Sequence, residues 1–228
     1  MIVELSYLIG ERGDKEPLLV LGLSKVKVIP RSRFGDGQGK SNQTSILEMS
    51  SHNGTHIDTG WHVIPDGKKI NDFNISDFVF DKPTLIECRK ENLEKINRED
   101  LEPHAEALKN CDLLFVYTGF SKYRSPDPKR YVLQSPAFSV EGAQYIVDNF
   151  NNIRCIGMDF MGAENIPEGR KTGWPVHKVL LGNNRNFFHI EDMNLASVVG
   201  KKIKRVYVAP LRMVDLEASP VTVIAEVE

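Results

Sequence analysis

A single α/β domain spanning residues 1–228 is the fold class this sequence predicts. Three observations carry that expectation. Short apolar, β-branched runs recur along the chain, capped amphipathic stretches lie between them, and no repeat, low-complexity tract or linker divides the whole. The runs fall at 84–88, 112–118, 153–158, 187–190, 203–209 and 221–225, and their length and polar bounds suit strands. A helix is expected from about 97 to 108, with Asn97 as cap and Glu99 and Asp100 in the first turn, where the helix dipole favours them. Pro103 works against it, kinking the helix or moving its start to about Glu102. A second helix follows Ser139, with Val140, Ala143, Ile146, Val147 and Phe150 on one face. A shorter one starts at Trp174, with Pro175 in its first turn and Gly182 beyond its end. Periodicity alone leaves open whether the sheet is flat-edged or closes into a barrel.

Composition narrows the function classes. The formal net charge is −2, from 29 basic and 31 acidic residues, so no global field exists to recruit nucleic acid or an anionic membrane. Lys201, Lys202, Lys204 and Arg205 form one basic run, read as a solvated or edge-blocking stretch. No segment reaches the roughly 18 apolar residues of a membrane span. The N-terminus has neither a basic opening nor a signal-like apolar run. Cys88, Cys111 and Cys155 are odd in number, far apart and without a CxxC pair, which reads as buried free thiols in a reducing cytoplasm.

Two loops stand out. Residues 31–40 (RSRFGDGQGK) are glycine-rich and run into Ser41, giving a Gly39-Lys40-Ser41 ending like that of a P-loop. The position of the opening glycine is Phe34 and no helical pattern follows, so a mobile surface loop is expected instead. Residues 125–130 (SPDPKR) are proline-rich and read as an exposed excursion.

The chemistry concentrates in residues 51–62, SHNGTHIDTGWH. His52, His56, Asp58 and His62 all have even numbers and would share one face of an extended strand. A straight strand would hold His52 and His56 roughly 13 Å apart, too far for two imidazoles to meet one cation at about 2 Å. Gly54 offers the remedy, since glycine permits the bend that shortens the span. Three histidines and an aspartate on one face are costly to bury without a cation or a hydrogen-bond network. Imidazole and carboxylate donors fit Zn²⁺, Mn²⁺ or Fe²⁺ and argue against Ca²⁺. The remaining polar-helix histidine, His104, reads as a surface residue.

The run His52-Asn-Gly-Thr-His56-Ile-Asp58-Thr-Gly-Trp-His62 resembles the H-x-G-T-H-x-D-x-P-x-H signature of the cyclase-like metal-dependent hydrolases, a family that includes bacterial kynurenine formamidase and isatin hydrolase. Further likenesses follow in order: LLFVYTG at 113–119, IGMD at 156–159, the late His177, and the segment from Ile190 to Leu195. The resemblance implies a mixed, β-barrel-like sheet with flanking helices. It implies that His52, His56 and Asp58 bind a first divalent metal, with Zn²⁺ ahead of Mn²⁺. His177 and Glu191 would complete a second site, giving one or two metals per chain. His62 would stand beside them as proton shuttle, and His62 or Glu191 would take the proton of the attacking water. His189 shares a face with Glu191 but matches no family position, making it a less favoured substitute ligand.

The reaction this implies is amide or lactam hydrolysis on a small-molecule substrate, an aryl formamide or a cyclic amide. A non-catalytic metal-stabilised member, or a ring-opening or cyclising enzyme of secondary metabolism, would carry the same residues. Trp61, Phe34 and Trp174 are candidates to line an apolar pocket. Two departures bear on specificity: Gly60 replaces the signature proline, which would loosen the turn carrying His62, and residues 160–164 diverge from the formamidase pattern. Family members form dimers, so a homodimer or higher homo-oligomer is expected, with the loop around Phe34 near a neighbour's site.

Overall fold

The computed structural model describes residues 1–10, 17–22, 25–35, 41–183 and 186–228. The strands among these described residues are β1 (Ile2–Glu4), β2 (Lys27–Ser32), β3 (Thr44–Glu48), β4 (His56–Asp58), β5 (Val79–Phe80), β6 (Pro83–Glu87), β7 (Lys95–Ile96), β8 (Leu113–Tyr117), β9 (Ala137–Phe138), β10 (Cys155–Met158), β11 (Phe188–Glu191), β12 (Ile203–Pro210) and β13 (Ala218–Val227). The α-helices among them are α1 (Arg98–Leu101), α2 (Ala105–Leu108), α3 (Pro128–Leu133), α4 (Val140–Asn149), α5 (Ile166–Thr172) and α6 (Pro175–Leu181).

One nine-stranded sheet runs β5-β12-β13-β4-β11-β10-β8-β6, with β1 added on β13. Strands β6, β8, β10 and β11 pair in parallel, and every pairing from β11 round to β5 is antiparallel. The two ends of that path, β5 and β6, are separated only by Asp81 and Lys82, so the sheet bends round into a nearly closed barrel. Parallel neighbours need crossovers, and α1 to α6 lie in the three that join β6, β8, β10 and β11.

Alternation along the parallel strands divides the core in two. Leu114, Val116, Ile156 and Met158 face the helices and pack with Leu101, Tyr131, Ile146 and Leu180. Leu113, Phe115, Cys155, Phe188 and Ile190 face the other way, into the barrel, against Phe78, Phe80, Val206 and Val223. All three cysteines are buried and free.

The helix caps follow the sequence closely. Ser139 accepts from the Gly142 N–H, and Asn97 and Asp100 form a capping box. Pro103 breaks 97–108 as expected, dividing it into α1, a 3₁₀ turn and α2. Three expectations need correction. Val140 is exposed, so the buried face of α4 rests on Ala143, Ile146 and the following Phe150. Residues 125–130 are not wholly a loop, because Asp127 caps α3 and Pro128 opens it, burying Tyr131 and Val132. Nor does 52–62 form one strand: His52 lies in a turn, β4 holds three residues, and Gly60–His62 is a 3₁₀ turn. The glycines of the P-loop-like stretch at 36–40 lie outside the described residues, while Arg31 and Ser32 end β2.

Candidate metal centre

Strand β4 sits between β13 and β11, where its side chains are covered on both flanks. In the β4–β11 register His56 stands opposite Glu191 and Asp58 opposite His189. Antiparallel partners point to the same face, so this one pairing gathers two imidazoles and two carboxylates, while Ile57 and Ile190 anchor the opposite face in the barrel core. Gly54 turns the chain into β4 at φ +64°, a left-handed conformation, and a Cβ there would meet Ile9 Cγ1 at 2.9 Å. This bend brings the His52 ring to 4.9 Å from the His56 ring, centroid to centroid.

His177 arrives from α6, which starts at Pro175 after Trp174 at φ +61°. His62 ends its 3₁₀ turn with the ring 4.6 Å from His52 and 5.8 Å from His177. The turn is not loosened by Gly60. It is held by bonds from His62 N to Thr59 O (3.0 Å), Ile64 N to Gly60 O (2.9 Å) and Trp61 N to Lys68 O (2.9 Å). Gly67 packs so closely beneath it that a Cβ there would fall 2.2 Å from Gly60 C.

Ligand-type atoms of His52, His56 and Asp58 form one group within 4.8 Å of each other, and those of Asp58, His177, His189 and Glu191 form a second. Asp58 belongs to both. His52 Nδ1 lies 3.1 Å from Asp58 Oδ1, and His56 Nε2 lies 3.5 Å from both Asp58 Oδ1 and Glu191 Oε2. His177 Nε2 is 3.4 Å from Glu191 Oε1.

Outer acceptors orient three of these rings. The Gly54 carbonyl takes His56 Nδ1 at 2.9 Å, Glu164 Oε2 takes His177 Nδ1 at 2.9 Å, and Glu217 Oε1 lies 3.4 Å from His52 Nε2. Outer acceptors of this kind fix the tautomer of metal-binding histidines. Glu164 and Glu217 were not foreseen as functional. Glu164 lies in the divergent 160–164 stretch, and neither sits at a spacing that betrays a partner so distant in sequence.

Charge runs through the cluster. Burial opposes protonation of His52, but the Asp58 carboxylate beside it wins and lifts its pKa to about 10. Burial is likewise outweighed at His177, where Glu164 and Glu191 raise it to about 9. Against its own burial, Asp58 is held well below the usual carboxylate range by His52 and His56. Glu217 drops to about 2 through its bond to His52. His62 goes the other way. Burial, with His52 and His177 nearby, pushes it below its ordinary value, so it is a neutral base at pH 7.

The residues fit a divalent cation. His56 Nε2 and Asp58 Oδ1 are buried and have no hydrogen-bond partner among the described residues, yet both face the same point. Orphaned polar atoms of this kind are costly unless something satisfies both, and mixed imidazole and carboxylate donors suit Zn²⁺ or Mn²⁺. A cleft of about 670 Å³, counted to its mouth, opens over them. His52, His56, Asp58, His62, His177 and Glu191 form its floor and rim, and Leu21, Met161, Ile166, Trp174 and Arg170 its walls. Of the three aromatic candidates only Trp174 lines it. Phe34 is exposed, and Trp61 packs under Lys69 instead.

The model of the Cyclase family matches residues 5–165. An uncharacterised protein of Methanocaldococcus jannaschii is 31% identical over 183 residues, 79% of this chain and 81% of that one. A kynurenine formamidase of Bacillus anthracis is 30% identical over 182 residues, 77% and 76% of the two chains. Among solved structures, an isatin hydrolase bound to the product analogue thioisatinate superposes with a TM-score of 0.80 at 17% identity, over 98% of this chain and 91% of that one.

Proposed function

This chain belongs to the Cyclase family, and from that membership we propose that it is a metal-dependent amidohydrolase acting on a non-peptide C–N bond, an aryl formamide or a cyclic amide. His52, His56, Asp58, His177 and Glu191 would hold one or two divalent cations, Zn²⁺ first and Mn²⁺ second. A cation bound there supplies Lewis acidity, acidifying water and polarising a carbonyl.

The chain's own groups supply the rest. His62 Nε2 stands 3.9 Å from Asp58 Oδ2, beside the cluster but in neither ligand group. As a neutral imidazole it takes a proton from the attacking water and returns it to the leaving amine. Glu191, whose Oε2 faces the same space, is the second candidate to take the water's proton. Leu21, Met161, Ile166 and Trp174 would exclude water around an apolar or aromatic acyl-amine.

The observation that carries this reading is His62, which lies outside both ligand groups yet lines the same open cleft. A purely structural metal site closes its coordination and has no use for such a residue. The test is hydrolysis of a panel of N-formyl aryl amines and lactams by the wild type and His62→Ala. Turnover falling about 10²- to 10⁴-fold, with metal content unchanged, is expected. Turnover indifferent to the substitution, or a variant that loses its metal, would remove His62 from the role.

The partner surface is also a proposal. The β2–β3 hairpin stands apart from the main sheet and exposes Val28, Ile29, Ile46 and Leu47. A two-stranded hairpin is marginal in water by itself, and apolar patches of this kind mark interfaces. A second copy of the chain would cover it. Among the described residues no helix is long and apolar enough to cross a membrane. The three free, buried cysteines fit the reducing cytoplasm, which is the compartment proposed.

A further inference from the structure

Four imidazoles share the two ligand groups with Asp58 and Glu191, and one of them is unlike the rest. His56, His177 and His52 each have an acceptor on the outer side of the ring: the Gly54 carbonyl, Glu164 and Glu217. With one ring N–H donated to that acceptor, loss of the other proton leaves the lone pair on the inward nitrogen, the form that binds a cation. His189 is fully buried, and its Nδ1 has no hydrogen-bond partner among the described residues. Its Nε2 points inward, 3.1 Å from Glu191 Oε1 and 3.3 Å from Asp58 Oδ2.

The two tautomers are therefore unequal. A proton on Nδ1 would be buried without an acceptor among the described residues, which is unfavourable, and would turn the Nε2 lone pair towards two carboxylate oxygens. A proton on Nε2 is donated to Asp58 Oδ2 and faces Glu191 Oε1 as well. We infer that His189 is not a metal ligand but a clamp: its Nε2 carries a proton, donates to Asp58 Oδ2 and lies against Glu191 Oε1, and so fixes how the two carboxylates face the centre. Glu191 Oε1 is pinned from a second side by the Ala163 N–H at 2.8 Å. The other oxygens, Asp58 Oδ1 and Glu191 Oε2, are those that face His52 and His56. The clamp thus decides which oxygen of each carboxylate is left for a cation. It rests on the metal-centre reading for its purpose, but the tautomer is readable whether or not a cation binds.

Long-range ¹H–¹⁵N correlation of the ¹⁵N-labelled protein, as purified and after chelation, reads the protonation of each imidazole. The cross-peaks lost in His189→Gln identify those of His189. The clamp predicts a proton on Nε2 and a bare Nδ1 in both preparations. A proton on Nδ1, a doubly protonated ring, or an Nε2 shifted by added Zn²⁺ would overturn it. Metal titration gives the second readout. Glutamine can place an N–H near the Nε2 position and should keep the wild-type affinity for Zn²⁺, whereas His189→Leu should weaken binding about 10- to 100-fold. Equal losses in both variants would make His189 a ligand and refute the clamp. A wild type that binds no cation, with His189 still protonated at Nε2, would sink the hydrolase reading and leave the clamp standing.

Discussion

Glu164→Ala tests whether the centre depends on groups beyond its ligands. Glu164 is 4% exposed, and its Oε2 accepts two bonds, from His177 Nδ1 at 2.9 Å and from the His177 backbone N–H at 3.1 Å. Alanine leaves both donors without a partner in a buried place. At about 1–3 kcal/mol for each orphaned donor, the metal-free protein should lose about 2–6 kcal/mol of stability. His177 would also lose the acceptor that fixes its ring. Removal of such an outer partner typically lowers metal affinity about 10- to 100-fold, which is about 1.4–2.8 kcal/mol. Glu164→Gln keeps an oxygen that can accept both bonds, and should retain most of the affinity and stability. Competition with a fluorescent zinc chelator measures the first quantity, and denaturant unfolding of the stripped protein the second. A Glu164→Ala protein that binds and unfolds like wild type would contradict this dependence. So would a glutamine variant as damaged as the alanine one, which would place the effect in charge rather than in the two accepted bonds.

In the chelated protein, His52 at about 10 and His177 at about 9 both lie above the ordinary 6.5. Their contribution to stability is complete below pH 6.5 and is lost as pH rises through those values. Differential scanning calorimetry should show Tm falling between pH 7 and 10, with saturating Zn²⁺ flattening the slope because a cation replaces the protons. A flat profile in the stripped protein would contradict these assignments. The exposed β2–β3 hairpin predicts a homodimer by sedimentation, shifted towards monomer by Val28→Ser with Leu47→Ser. A wild type that stays monomeric at high concentration would remove that surface from the account.

Much of the fold was legible because it is local. Caps at Ser139 and Asn97, the Trp174-Pro175 start and the apolar strand runs all depend on neighbours in sequence. The α3 start was missed: Asp127 followed by Pro128 is a cap signal, but the prolines of SPDPKR led to a loop reading. The need for a bend at Gly54 followed from the distance two imidazoles must span, and the left-handed φ is there. What was not legible is long-range register. His56 faces Glu191 only because β4 pairs antiparallel with β11, and the same pairing puts His189 against Asp58. The alternation of His189 with Glu191 was the one signal available for it. For Glu164 and Glu217, which reach their histidines across 13 and 165 residues of chain, spacing carried no signal. Gly60 misled in the opposite sense. The absent proline suggested a loose turn, whereas backbone bonds and the close approach of Gly67 hold it.

The central claim is that these side chains hold metal. Its most direct test is elemental mass spectrometry of protein purified without chelator or affinity tag, beside His56→Ala and His177→Ala. About two divalent ions per chain, reduced in both variants, is the result predicted by two ligand groups that share Asp58. One ion, lost with His56 and kept without His177, would restrict the centre to His52, His56 and Asp58. No metal in the wild type, and none regained on adding Zn²⁺ or Mn²⁺, would contradict the account.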